Sequence, residues 1–169
     1  IYDNLKPNYK QKIYSASFIV YLLMNSAKLN GINTQQLGNL MNTLKEKPNT
    51  SKATFFVKTE WNGMKEDGDG FCVRTSCKDF QIGSQSVQRN NSYNMIFDYP
   101  PEFSGEGKGP LVCEGCMSAL GACLTQTIVA HATARGITLD GITINLEGTV
   151  DLRGFTGISS DARPGAQGF

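Results

Sequence analysis

The chain has no excess of either charge: 16 basic residues stand against 15 acidic ones in 169, a net charge of +1. Nucleic-acid binding draws on a basic excess or a basic stripe, and neither is present. The apolar run at residues 13–24, behind Lys10 and Lys12, falls short of the roughly 20 residues needed to span a bilayer. Tyr14, Ser15, Ser17 and Tyr21 interrupt it and no small-residue cleavage site follows, so it reads as part of an amphipathic helix rather than a targeting segment. Internal repeats and low-complexity tracts are absent. So is a disulfide framework: the five cysteines are odd in number, and Cys113, Cys116 and Cys123 crowd into eleven residues. Clustered, unpaired thiols suit a reducing compartment.

What is present is ordinary for a globular protein, with 40% apolar and 18% charged residues. Residues 1–50 read as a helical extension. A first helix is expected over residues 9–29, capped by Asn30-Gly31. A second starts at Asn33 or Thr34, with Leu37, Leu40, Met41 and Leu44 on one face and Pro48 closing it. From residue 51 the texture turns to β. Strands are expected at 54–61, 71–77 and 93–99, with an Asp-Gly turn region at 64–70 and a polar stretch at 81–92. A glycine-rich loop, 104–110, leads into the longest helix, 111–135, which contains no proline and ends at Gly136. Alternation at Ile142, Ile144, Leu146 and Val150 predicts a half-buried strand, followed by a loop over 151–169. The order predicts an α+β domain with a mostly antiparallel sheet. The turn-rich ending Arg163-Pro164-Gly165 leads toward a closing element expected in a longer chain.

The cysteines admit three readings. A zinc site of Cys72, Cys77, Cys113 and Cys116 is weakened by geometry, because strand residues five apart point to opposite faces. Cys113 and Cys123 lie about 15 Å apart along a helix and cannot share an ion either. A redox pair at Cys113-Glu114-Gly115-Cys116 would sit at a helix start, where the dipole favours a thiolate, although Glu114 opposes it. Cys123, among Ala119, Leu120, Gly121, Ala122 and Leu124, is either a small packed hydrophobe or a sheltered reactive thiol.

Residues Gly109-Pro110, Glu114 and Ala119-Leu120-Gly121-Ala122-Cys123-Leu124 resemble the central helix of the OsmC/Ohr family, the osmotically inducible and organic hydroperoxide resistance proteins. Ala132, Ala134-Arg135-Gly136-Ile137, Leu146-Glu147-Gly148, Asp151-Leu152-Arg153-Gly154-Phe155 and Arg163-Pro164-Gly165 look like one OsmC-like branch, as do Leu29-Asn30-Gly31-Ile32 and the strand ending at Trp61. The likeness spans residues 28–169. It implies an OsmC-like domain at 51–169 behind the extension at 1–50: an antiparallel sheet on a long central helix, built as an intertwined homodimer.

The activity it implies is a cytoplasmic, cofactor-free thiol peroxidase that reduces organic hydroperoxides or hydrogen peroxide and is recycled by a dithiol reductant. It involves no metal, nucleic acid or membrane. Cys123 would be the peroxidatic thiol, Arg74 (with Arg89 as the alternative) its activating cation, and Glu114 the carboxylate orienting that arginine. Two departures stand out. The hydroperoxide reductases carry their glutamate one residue earlier, where this chain has Cys113, so Cys113 could resolve an oxidised Cys123, or efficient peroxidase activity has been lost. Glu114 is also nine residues from Cys123, about 900° of helix, and faces away from it unless the first turn is irregular or the partner group lies across a subunit interface. His131, eight residues past Cys123, reads mainly as a packed histidine. The rival function is a non-catalytic relative that binds a small apolar ligand or a thiol carrier, and Cys113/Cys116 disulfide exchange is a further alternative.

Overall fold

The computed structural model describes residues 28–63 and 70–168. The helix expected at 9–29 and the turn at 64–69 lie outside them. The chain divides into two units, one holding residues up to Thr43 together with Ile128–Gly141, the other Leu44–Thr127 and Ile142–Phe169. The first unit thus includes the last turns of the long helix.

In the first unit, helix α1 (Thr34–Glu46) begins where Asn33 caps it, its Oδ1 accepting from Gln36 N–H at 2.9 Å. Asn30-Gly31 forms a tight turn; the helix it was expected to cap lies outside the described residues. Both residues have positive φ, 50° and 78°, and Leu29 and Ile32 exchange hydrogen bonds of 3.0 and 2.9 Å around them. This is the type I′ geometry that Asn-Gly favours. The Asn30 amide then reaches more than a hundred residues along the chain. It donates to Thr133 Oγ1 (3.1 Å) and Ile137 O (2.8 Å), while its oxygen accepts from Leu139 N–H (2.9 Å). These bonds tie the turn to the end of the long helix, where Ile137 N–H and Gly136 N–H close on Ala132 O and Thr133 O in the glycine-terminated pattern.

The second unit is built on an antiparallel sheet of β1 (Ala53–Glu60), β2 (Val73–Ile82), β3 (Gln85–Val87) and β4 (Tyr93–Phe97). The central strand β2 pairs with β1 on one side and with β3 and β4 on the other. It runs five residues past its expected end. Part of the polar stretch is a hairpin turning at Gly83 (φ 58°), a conformation glycine adopts without steric cost. Register places Val57, Thr59, Val73, Thr75, Cys77, Tyr93, Met95 and Phe97 on one face, and Lys58, Glu60, Arg74, Ser76, Asn94 and Ile96 on the other. The apolar face is largely open: Val57 is 62% and Tyr93 58% exposed.

The long helix α2 (Val112–Ala134) spans 23 residues. Among the described residues it is the one helix long and apolar enough to cross a membrane by length and composition, with a mean hydropathy of 1.3. It meets the apolar sheet face at Gly115, where a Cβ would collide with the Phe97 ring.

Two expectations fail beyond it. Only Thr149–Val150 of the strand expected at 142–150 is paired, as β5 with β6 (Ala166–Gly168). Residues 142–148 keep the alternation, with Ile142, Ile144 and Leu146 half-buried between exposed neighbours. Among the described residues no strand runs beside them to complete a ladder, so pattern without a partner leaves them extended only. The loop expected over 151–169 contains β6 and a short helix, α3 (Leu152–Thr156), capped by Asp151.

Candidate functional site

Helix α2 starts at a cap that its own sequence supplies. Glu114 Oε2 accepts from Leu111 N–H at 2.8 Å, one half of a capping box. Gly115 N–H reaches Leu111 O at 3.0 Å, so the first turn is regular. At 100° per residue, Glu114, Met117, Ser118, Gly121, Ala122 and Thr125 form one stripe. With Ile144 and Leu146 they line a shallow cleft of about 380 Å³.

Cys123 is half a turn away from that stripe, on the other side of the helix. It is exposed in the chain. Leu120 and Leu124, which flank it, are 40% and 42% exposed. Cys116 is exposed too and sits seven residues earlier, within about 20° of Cys123 around the axis. Cys113 is half-buried and lies beside Tyr99. Burial raises the Tyr99 phenol above its ordinary 10.0, and the neighbouring thiol raises it further.

The other expected site residues are not gathered around Cys123. Arg74 is exposed on the polar sheet face, cross-strand from Glu60, whereas α2 meets the opposite face through Phe97. Arg89 spreads its guanidinium over Phe80 (4.9 Å) and Tyr93 (5.5 Å), a cation–π clamp at the hairpin end of the apolar face. His131 is exposed rather than packed, with Nδ1 3.1 Å from Arg135 Nη1. Cys72 is fully buried, Cys77 lies on the other face of its strand, and among the described residues no group of His, Cys, Asp and Glu could hold a metal ion.

Two features escaped the sequence reading. Asp98, 2% exposed, accepts from the backbone N–H groups of Tyr99, Glu106 and Lys108, which folds the loop 98–110 and aims it into α2. The Lys108 N–H bond is the main cause holding this carboxyl below its ordinary 3.8, with the Tyr99 and Glu106 bonds adding to it against the opposing effect of burial. An aspartate ahead of a glycine-rich loop able to fold back on it was the available signal. Beside that loop, Phe71, Tyr99, Phe103, Leu152 and Phe155 enclose an aromatic cavity of about 320 Å³ with Glu102 at its rim. The Tyr99 ring sits 5.1, 6.2 and 5.2 Å from those of Phe71, Phe103 and Phe155.

No family model matches the chain, and no curated protein matches it. The site is therefore read from its own chemistry: an accessible thiol on an apolar helix, a second accessible thiol on the same side, and, separately, an aromatic cavity around Tyr99.

Proposed function

We propose that this chain is an OsmC-like thiol peroxidase, cytoplasmic and homodimeric, that reduces organic hydroperoxides through Cys123 and is recycled by a dithiol. The observation that carries the reading is the exposure of Cys123 beside two exposed leucines, Leu120 and Leu124. A hydroperoxide with an apolar tail can approach there, and a buried thiol could not react. The Cys123 thiolate attacks the distal oxygen, the S–O bond forms as O–O breaks, and the alkoxide takes a proton and leaves as the alcohol. Cys123 is left as a sulfenic acid.

Glu114 is given its observed task, capping α2, and no part in the chemistry. Arg74 remains the activating cation only if a second copy supplies it, because within one protomer the sheet lies between Arg74 and the helix. The test is consumption of cumene hydroperoxide in the presence of dithiothreitol, with sulfenic acid trapped by dimedone. Wild type should turn over, and Cys123→Ser should show neither turnover nor adduct. Absence of both from wild type would end the peroxidase reading.

A second reading, a non-catalytic binder of small apolar ligands, is favoured by the aromatic cavity around Tyr99. It predicts saturable quenching of tyrosine fluorescence by an aromatic ligand, abolished in Phe155→Ala and unchanged in Cys123→Ser.

A further inference from the structure

Separate local devices bring four aromatic rings to one cavity. Asp98 folds loop 98–110 and sets Tyr99 at its start. The 3-10 turn Pro101–Phe103 then carries Glu102 and Phe103, and Ser104 ends it in the left-handed conformation (φ 66°). Asp151 caps α3 through Arg153 N–H, and Leu152, Phe155 and Thr156, three and four residues apart, share one helix face. Phe71, just ahead of β2, completes the wall. The cavity of about 320 Å³ lies at the low end of the roughly 300–1,000 Å³ of small-molecule sites. Solvent reaches it, since Phe71 is 46% and Phe155 49% exposed.

We propose that this cavity binds a small ligand bearing a quaternary ammonium group, seated among the rings with its charge toward Glu102. The inference rests on the second reading above, that the cavity is a ligand site, and is independent of the Cys123 chemistry. Phe71 and Phe103 stand at 69° and 74° to Tyr99, so the ring planes close on the cavity from different directions. Such a box suits a rounded group that touches several rings at once. A planar ring sandwiched between Tyr99 and Phe155 would need about 7 Å, twice an ordinary carbon–carbon contact. Their centroids are only 5.2 Å apart. An aromatic face attracts a cation within about 6 Å of its centroid, and the methyl groups of a quaternary ammonium add apolar contact to that attraction.

Charge selects a cation over a neutral group of the same shape. Glu102 is exposed at the rim and makes no hydrogen bond or ion pair among the described residues. The cations beside the cavity are already committed, Lys108 to Glu106 and Arg153 to Asp151. Residues 98–110 and 151–157 carry four carboxylates (Asp98, Glu102, Glu106, Asp151) against those two cations, a local charge of −2 in a chain whose net charge is +1. The Glu102 carboxylate also disfavours a ligand whose ammonium has an anion close by, such as a phosphocholine headgroup. The class that fits is a quaternary ammonium compound with a neutral tail.

The full chain is titrated with choline and with 3,3-dimethylbutan-1-ol, its neutral carbon isostere, and binding is read from the shifts of the aromatic ring protons. Choline should bind about five- to thirtyfold more tightly than the isostere. Glu102→Gln, a change at an exposed side chain without partners, should weaken choline about two- to fivefold and leave the isostere unchanged. Phe103→Leu keeps the apolar volume without the ring, and should likewise weaken choline and spare the isostere. Phosphocholine should bind less tightly than choline, and Cys123→Ser should bind choline as wild type does. Equal binding of choline and its isostere, or phosphocholine as tight as choline, overturns the ammonium assignment and leaves the apolar-binder reading standing. If neither choline nor the isostere binds while an aromatic ligand still quenches tyrosine fluorescence, the assignment fails and that reading again survives. If nothing binds, both fall.

Discussion

Replacing Asn30 separates a side-chain effect from a backbone effect in the first unit. Asn30→Gly keeps the left-handed conformation (φ 50°) at no steric cost but removes three hydrogen bonds, to Thr133 Oγ1, Ile137 O and Leu139 N–H. At about 0.5–1.5 kcal/mol net each, the loss lies between about 1.5 and 4.5 kcal/mol. Ile137 is 51% exposed, so water replaces part of that bonding and the lower half of the range is expected, about 2 kcal/mol. Asn30→Ala loses the same bonds and keeps a Cβ in the left-handed region without the polar side chain that lets asparagine tolerate it, so it should fall about 1–2 kcal/mol below Asn30→Gly. Asn30→Asp keeps only the acceptor for Leu139 N–H and sets an oxygen against the Ile137 carbonyl. The expected order of stability is wild type, Gly, Ala. It is measured by urea unfolding together with amide exchange at residues 132–139, where protection should fall first. Equal stability of Asn30→Gly and wild type, within about 0.5 kcal/mol, would refute the clamp.

Two glycines in α2 should respond with opposite sign to the same change. Gly115→Ala drives a methyl into the Phe97 ring and should destabilise by about 1–3 kcal/mol despite the better helix propensity of alanine. Gly121→Ala meets only the tip of Leu146 at 3.3 Å and should stabilise by about 0.5–1 kcal/mol, both being read from thermal unfolding. The Asp98 carboxyl, held below 3.8 mainly by the Lys108 N–H bond, contributes stability that is fully present above its unfolded value and is lost as pH falls through the folded one. Loop 98–110 should therefore loosen below about pH 4, seen as faster proteolysis by pepsin. In Asp98→Asn the same loop should be loose at neutral pH and show a flatter acid profile.

Local signals placed the elements well where hydrogen bonding is local. Asn33 announced the start of α1, Glu114 and Gly136 sit where α2 is capped, and β1 and β4 lie where β-branched and aromatic residues cluster. The misreadings arose where a partner decides. Asn30-Gly31 serves equally as a helix cap or a tight turn, and its distant bonds select the turn. The alternation at 142–148 is real, but a strand exists only where another strand answers it. Among the candidate site residues, the nine-residue spacing of Glu114 from Cys123 already predicted that they face apart. The placing of Arg74 on the far sheet face depended on the register of β2 against β4, which no local pattern encodes.

By itself the sequence determined that the chain is mixed α+β, that its longest helix carries three of its five thiols, and that Glu114 and Cys123 lie on opposite sides of that helix. These follow from composition and from the fixed pitch of a helix. Only the tertiary structure decided how little of that helix the rest of the chain covers. Phe97 and Leu146 close on Gly115 and Gly121, about 120° apart around the axis, where the absence of side chains admits close approach, and Cys116 and Cys123 are among the helix residues left in solvent. Exposure is a property of what packs elsewhere, and that is why the reactivity of Cys123 could be suspected from its neighbours in sequence but argued only from its neighbours in space.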